Sequence, residues 1–150
     1  MKLAEALQER ADLNRRIAQL RSRLLSNAQV QEGETPAEDP LRLIGLLNAE
    51  CSAYEELIRR INLTNAATVW EGKTLTALLA RRDALSLELS IMRDFLRQAS
   101  QRIDRYSKTE IKILSTVDVT AMQKTVDAKS KELRQLDAAI QKLNWTTTLI

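Results

Sequence analysis

Residues 39–61 are DPLRLIGLLNAECSAYEELIRRI, and the pattern in this stretch recurs through most of the chain. Asp39 suits the cap of a helix because its carboxylate can accept from free backbone amides. Pro40 suits the first helical position, where a backbone N–H is not needed. From Leu43 onward, mostly apolar residues recur four and three positions apart, so they lie on one face of a helix. This spacing predicts an amphipathic helix over residues 40–67.

Three further runs with helical spacing predict helices over residues 2–26, 74–103 and 120–144. The last run opens with Thr120 and Gln123 in the spacing of a capping box. The sequence has 3 Gly and 2 Pro, which leaves little material for turns and favours long elements. We therefore predict a mainly α protein, an antiparallel four-helix bundle with a small β ribbon at one end, formed as a single domain over residues 1–150.

The ribbon is predicted from IKILSTVDV, residues 111–119, where apolar residues lie two apart as in a strand. A strand over 110–117 needs a partner for its backbone groups, and residues 27–32 of the first long loop have a suitable extended character. A two-stranded ribbon is marginal alone, so it should pack on a helix end or pair with its counterpart in a second subunit. The candidate interaction surface consists of Val30, Glu32, Ile111, Ile113 and Val117.

The composition limits the possible chemistry. The chain has no His, which removes His-based acid–base catalysis, His-paired nucleophiles and zinc sites with His ligands. Its single cysteine, Cys51, agrees with a reducing compartment, and no apolar run is long enough for a membrane span. We predict a cytoplasmic protein with no cofactor, no metal site and no catalytic residue.

Two polar groups remain candidates for function. The arginine pairs Arg59–Arg60 and Arg81–Arg82 could bind a polyanion, but pairing with carboxylates of neighbouring helices is the favoured interpretation. A polar segment at the predicted junction between helix and strand could form a ligand site, an enzyme site or simply the junction itself, and its members are Asp104, Arg105, Tyr106, Lys108 and Glu110.

Several stretches together resemble the septicolysin-like family of small bacterial proteins. They are MKLAEALQERADLNRRIAQLRSRL, NAQVQEGETPAEDP, RRINLTNAAT, TLTALLARRD, DRYSKTEIK and the closing LNWTTTLI. The resemblance runs from one end of the chain to the other and implies a helical fold. It implies no catalytic residue, and the family's name suggests a cytolysin.

From these features we predict a non-enzymatic, homo-oligomeric helical protein that acts by binding or scaffolding. One alternative is nucleic-acid or nucleotide binding through the arginine pairs, which would depend steeply on salt concentration. Another is an enzyme that acts on an anionic substrate near residues 104–110. The net charge of +3 is compatible with nucleic acid but does not require it.

Overall fold

The computed structural model describes residues 1–101 and 112–150. Within them it contains four long helices and two short strands, in the order α1 (Leu3–Ser26), α2 (Pro40–Ala67), β1 (Val69–Trp70), β2 (Lys73–Thr74), α3 (Leu75–Ser100) and α4 (Val119–Thr146). The predicted mainly α fold with a small ribbon is confirmed, and every predicted helix start lies within one residue of the observed one.

The chain divides into two compact units. The α1–α2 unit comprises Met1–Leu75 with Lys142–Ile150, and the α3–α4 unit comprises Thr76–Gln141. The single domain and the four-helix bundle stay predictions.

In the α1–α2 unit, the two helices contact each other along one apolar stripe of each. The buried residues of these stripes include Leu3, Leu13, Leu20, Leu43, Leu57 and Ile61. On the polar border, the Arg16 guanidinium donates to the Glu50 carboxylate at 3.1 and 3.2 Å. Burial of the stripes is the main stabilising contribution, because exposed ion pairs add little.

The segment after α4 closes one end of this unit through backbone hydrogen bonds. The Leu3 amide donates to the Thr147 carbonyl, and the Leu149 amide donates to the Met1 carbonyl, both at 3.0 Å. The Ile150 amide donates to Oγ1 of the fully buried Thr64, also at 3.0 Å. The start of α1 and the end of α2 therefore lie side by side, which makes the two helices antiparallel.

In the α3–α4 unit, Leu85, Leu89 and Leu96 of α3 form a buried cluster with Val126 of α4. The cluster is extended by partly buried side chains of the same unit, namely Met92, Val119, Met122 and Leu133. Polar contacts from Arg81 to Glu132 and from Glu88 to Lys129 connect the same helices. The later residue of α3 contacts the earlier residue of α4, so this pair of helices is antiparallel as well.

The predicted strand at 27–32 is wrong, because these residues form turns and irregular backbone. Their polar groups are satisfied locally: the Asn27 side chain donates to the Arg23 carbonyl and accepts from the Glu38 amide. The Glu34 amide donates to the Gln31 carbonyl in a tight turn that contains Gly33, whose φ is 85°. Such local side-chain bonds compete with the pairing of a strand.

The described part of the second predicted strand, residues 112–117, is not a strand either. The Ser115 hydroxyl bonds to both the amide and the carbonyl of Val117, which turns the backbone just before α4. Asp118 then caps α4, since its carboxylate accepts from the Ala121 amide at 3.1 Å. The predicted cap at Thr120 is therefore two residues too late. Residues 110 and 111 lie outside the described residues.

The ribbon is instead the connection between α2 and α3. Val69 pairs with Thr74 and Trp70 with Lys73, so Glu71 and Gly72 form a two-residue turn. Both have positive φ, 48° for Glu71 and 77° for Gly72, as a type I′ turn requires. Glycine adopts this conformation freely, whereas for Glu71 it is unfavourable.

Glu71→Asn should stabilise the protein by about 0.5–1 kcal/mol, part of the roughly 1–2 kcal/mol cost of the left-handed conformation, because asparagine tolerates this conformation better than glutamate. Urea unfolding would show the gain as a higher midpoint. Glu71→Gln is the matched control, since it removes the charge without improving the backbone preference. Equal gains in both variants would attribute the effect to charge rather than to the turn.

Candidate functional site

The most conspicuous surface feature of the α3–α4 unit is an apolar stripe on α3. We define the α3 stripe as Ala84, Leu87, Ile91 and Phe95. Leu87 is 65% exposed, Ile91 61% and Phe95 44%. These residues recur three and four apart, so they lie on one face of the helix. Because the core residues Leu85 and Leu89 point into the pair with α4, the stripe lies on the other side of α3.

The end of the stripe adjoins the segment that leads into α4. Phe95, Ile113 and Leu114 line a shallow cavity of about 240 Å³ together with polar neighbours. Ile113 is 66% exposed and Leu114 77%. Ile113 was predicted to belong to an interaction surface, and the structure places it beside an exposed apolar surface that the sequence analysis missed.

The charged groups that flank the α3 stripe already have partners in the same unit. Glu88 forms an ion pair with Lys129 at 2.9 Å, and Asp94 forms one with Arg97 at 3.1 Å. These pairs are exposed and stabilise little. Because each pair contains one positive and one negative charge, the border of the stripe has no net charge. The stripe is therefore an apolar surface without a strong electrostatic field around it.

The other predicted interaction residues lie in different surroundings. Val30 and Glu32 are exposed on the loop between α1 and α2, and Val30 lines an open groove of about 460 Å³ on that loop. Val117 is half-buried at the turn before α4. Ile111 lies outside the described residues.

One ion pair connects the loop between α1 and α2 to the last turn of α1. The Arg23 guanidinium donates to the Glu38 carboxylate, with a distance of 3.0 Å from Nε to Oε2. This hydrogen bond, assisted by the positive charges of Arg23 and Arg42 and opposed by partial burial, lowers the pKa of Glu38. The same bond raises the pKa of Arg23.

Glu38→Gln should reduce the stability of the protein at neutral pH more than at acidic pH. A carboxylate whose native pKa is lowered stabilises the folded state above its ordinary pKa, near 4.5, and this contribution is lost as the pH falls through the lowered native value. Urea unfolding at neutral pH and below pH 4 would measure the difference between variant and wild type.

Glu34→Gln is the control for that measurement. Glu34 is exposed on the same loop, and its carboxylate forms no ion pair among residues 1–101 and 112–150. The control should show a smaller pH-dependent difference than Glu38→Gln. An equal difference in the two variants would mean that the Arg23–Glu38 pair is energetically unimportant.

The predicted anion-binding arginines all have partners within the chain. Arg59 donates to Glu56 at 2.7 and 2.8 Å, which raises the pKa of Arg59 and lowers that of Glu56. Arg60 donates to the Ile150 backbone oxygen at 2.8 Å. The remaining two bond to acidic residues, Arg81 to Glu132 and Arg82 to Asp83. Only the Arg81–Glu132 pair joins neighbouring helices, as the structural alternative in the sequence analysis supposed, whereas Arg59 and Arg82 pair within their own helices.

The predicted polar site lies outside the described residues, namely Asp104, Arg105, Tyr106, Lys108 and Glu110. In the part of the chain that the structure describes, no cluster of three acidic or cysteine residues could hold a metal ion. None of the described helices combines the length and apolar character of a membrane span. Cys51 is an exposed free thiol.

The fold and surface define a mainly α protein with two antiparallel helix pairs and an exposed apolar helix face. The chain belongs to a family of unknown function, DUF6847, whose model matches residues 10–149. It is also similar to a functionally unknown conserved protein from Corynebacterium diphtheriae, known from a crystal structure. The two are 44% identical, with a TM-score of 0.90, over 100% of this chain and 99% of the other. No curated protein matches the sequence.

Proposed function

We propose that this protein is a non-enzymatic scaffolding or binding protein that assembles with a second copy of itself through the α3 stripe. The exposed row of Leu87, Ile91 and Phe95 is the observation that carries the proposal. Scattered exposed apolar residues are ordinary on a protein surface, but a contiguous row at helical spacing is typical of an interface.

The charges that flank the stripe cancel, which favours a second copy of the chain over a strongly charged partner. Because Glu88 and Asp94 are already paired within the chain, the surface offers no charge complementarity to an acidic or basic protein. An apolar helix face can pack against its own symmetry mate, and two-fold dimers are the commonest oligomers. The contact would pair two α3 helices.

The size of the surface predicts a reversible dimer. Five exposed apolar residues per copy, the three large ones of the stripe with Ile113 and Leu114, make ten in two copies. If burying the exposed part of each contributes about 1–1.5 kcal/mol, the gross gain is roughly 10–15 kcal/mol. Association costs about 4–15 kcal/mol, and with a cost of roughly 8–10 kcal/mol, in the middle of that range, the net gain is at most about 7 kcal/mol, which corresponds to micromolar affinity or weaker.

Several other expectations are part of the same proposal. A cytoplasmic location agrees with the free thiol of Cys51. Kinship with septicolysin-like proteins stays a proposal, supported by the quoted stretches of sequence. Binding of nucleic acid through the predicted arginine pairs has less support, since all four arginines have partners within the chain.

Ile91→Lys should abolish the dimer. It places a charge in the centre of the α3 stripe, which the dimer would bury, and desolvation of a charge there is costly. Sedimentation velocity from about 1 to 200 µM would show the wild type shifting from monomer to dimer around the predicted affinity. The variant should sediment as a monomer throughout this range. Circular dichroism would confirm that its helices remain folded.

Leu25→Lys is the matched control. Leu25 is 62% exposed, as Ile91 is 61% exposed, but it lies in the last turn of α1, where a lysine suits the helix dipole. The control should dimerise as the wild type does. A wild type that stays monomeric over the whole concentration range, or an Ile91→Lys variant that still dimerises, would contradict the proposed interface.

A further inference from the structure

A second feature of the α3–α4 unit is a polar groove along one edge of the contact between its helices. The groove has a volume of about 550 Å³. Its polar lining includes Arg93 and Arg97 from α3, and Gln123, Asp127, Ser130 and Arg134 from α4. On each helix these residues recur at three- or four-residue intervals, so successive turns present polar groups to the same groove.

The arginines of this groove differ from the four that the sequence analysis selected. Arg93 donates to the Ser130 hydroxyl at 2.8 Å, a neutral partner that uses one of its five donors. Among the described residues, no ion pair joins Arg93 or Arg134 to a carboxylate. Arg97 is paired with Asp94. Two guanidinium groups from facing helices are therefore available to an anion.

The groove also contains groups suited to hydroxyls. The Asp127 carboxylate accepts from the Gln123 side chain at 2.9 Å and has no cationic partner within the described part of the chain. Asp127 lies seven residues before Arg134 on α4, which is about 10 Å along the helix axis. A ligand that spans both would place a phosphate at Arg93 and Arg134, and hydroxyl groups near Asp127.

We propose that this groove is a binding site for a small phosphorylated molecule that carries hydroxyl groups, such as a sugar or polyol phosphate. Guanidinium forks match the geometry of phosphate oxygens, and a carboxylate beside an amide accepts and donates to hydroxyls. The volume suits a ligand larger than inorganic phosphate. None of the lining residues is aromatic, so the groove has no surface on which a base would stack.

The arginine contacts can be tested with ribose 5-phosphate as the probe, in an NMR titration that follows the arginine Nε–H signals at low salt. The wild type should bind it with a dissociation constant below about 1 mM, and more weakly as salt is added. The double variant Arg93→Gln with Arg134→Gln should bind at least about tenfold more weakly, because charged hydrogen bonds to the phosphate are lost.

The matched control is Arg10→Gln with Arg21→Gln, which removes the same charge from α1, a helix that does not line the groove. It should retain wild-type affinity to within about twofold, as expected when no direct contact is lost. An equal loss in both double variants would reveal attraction by net charge alone and overturn the site. Absence of binding to the wild type at several millimolar probe would overturn it as well.

Asp127→Asn tests the hydroxyl contact separately, with inorganic phosphate as the second probe. Removing this negative charge should leave inorganic phosphate binding unchanged or tighter, while ribose 5-phosphate loses its preference over inorganic phosphate. If the variant binds both probes more tightly by the same factor, Asp127 only repels anions and the hydroxyl part of the proposal is wrong. Thermal unfolding would verify that all variants are folded.

Discussion

The packing of Leu85, Leu89 and Leu96 against Val126 is the interaction on which the surface of the α3–α4 unit depends. It fixes the rotation of α3 about its own axis, because these side chains can be buried only when one face of the helix points at α4. The direction in which every other side chain of α3 points is then determined as well. Ile91 must face away from α4, while Arg93 lies at the edge of the contact.

A pair of helices buries only one stripe of each, and this limit explains why so much apolar surface stays exposed within each unit. On α2, for example, Leu43, Leu57 and Ile61 are buried, whereas Leu41 is 78% exposed. Helices in water are stabilised mainly by packing of an apolar face. The second apolar face on α3 is the basis of the proposed dimer, because on a helix with a single packing partner the same positions are usually polar.

The sequence predicted the helices well because their signals are long and repeated. Asp39 and Pro40 predicted the first residue of α2 correctly. The Asp39 carboxylate accepts a hydrogen bond from the Leu41 amide, which is the expected cap. The strand signals failed because they were short. A few alternating residues specify a strand only if a partner offers backbone bonds, and here Asn27 and Ser115 satisfy the local backbone instead. The actual ribbon had a weak signal, a two-residue turn containing Gly72 but not the usual Asn or Asp before it.

The surface features were harder to predict, since they depend on how α3 is rotated and on how α3 and α4 are aligned. Leu87 and Leu89 look alike in the sequence, yet one is exposed and the other buried. Likewise, the facing turn of α4 offers a carboxylate to Arg81 but a serine hydroxyl to Arg93. Residues two positions apart on a helix are separated by about 200° around the axis, so Ile91 and Arg93 face in nearly opposite directions. A dimer closed through Ile91 would therefore leave the arginine groove open, and assembly and ligand binding need no energetic coupling.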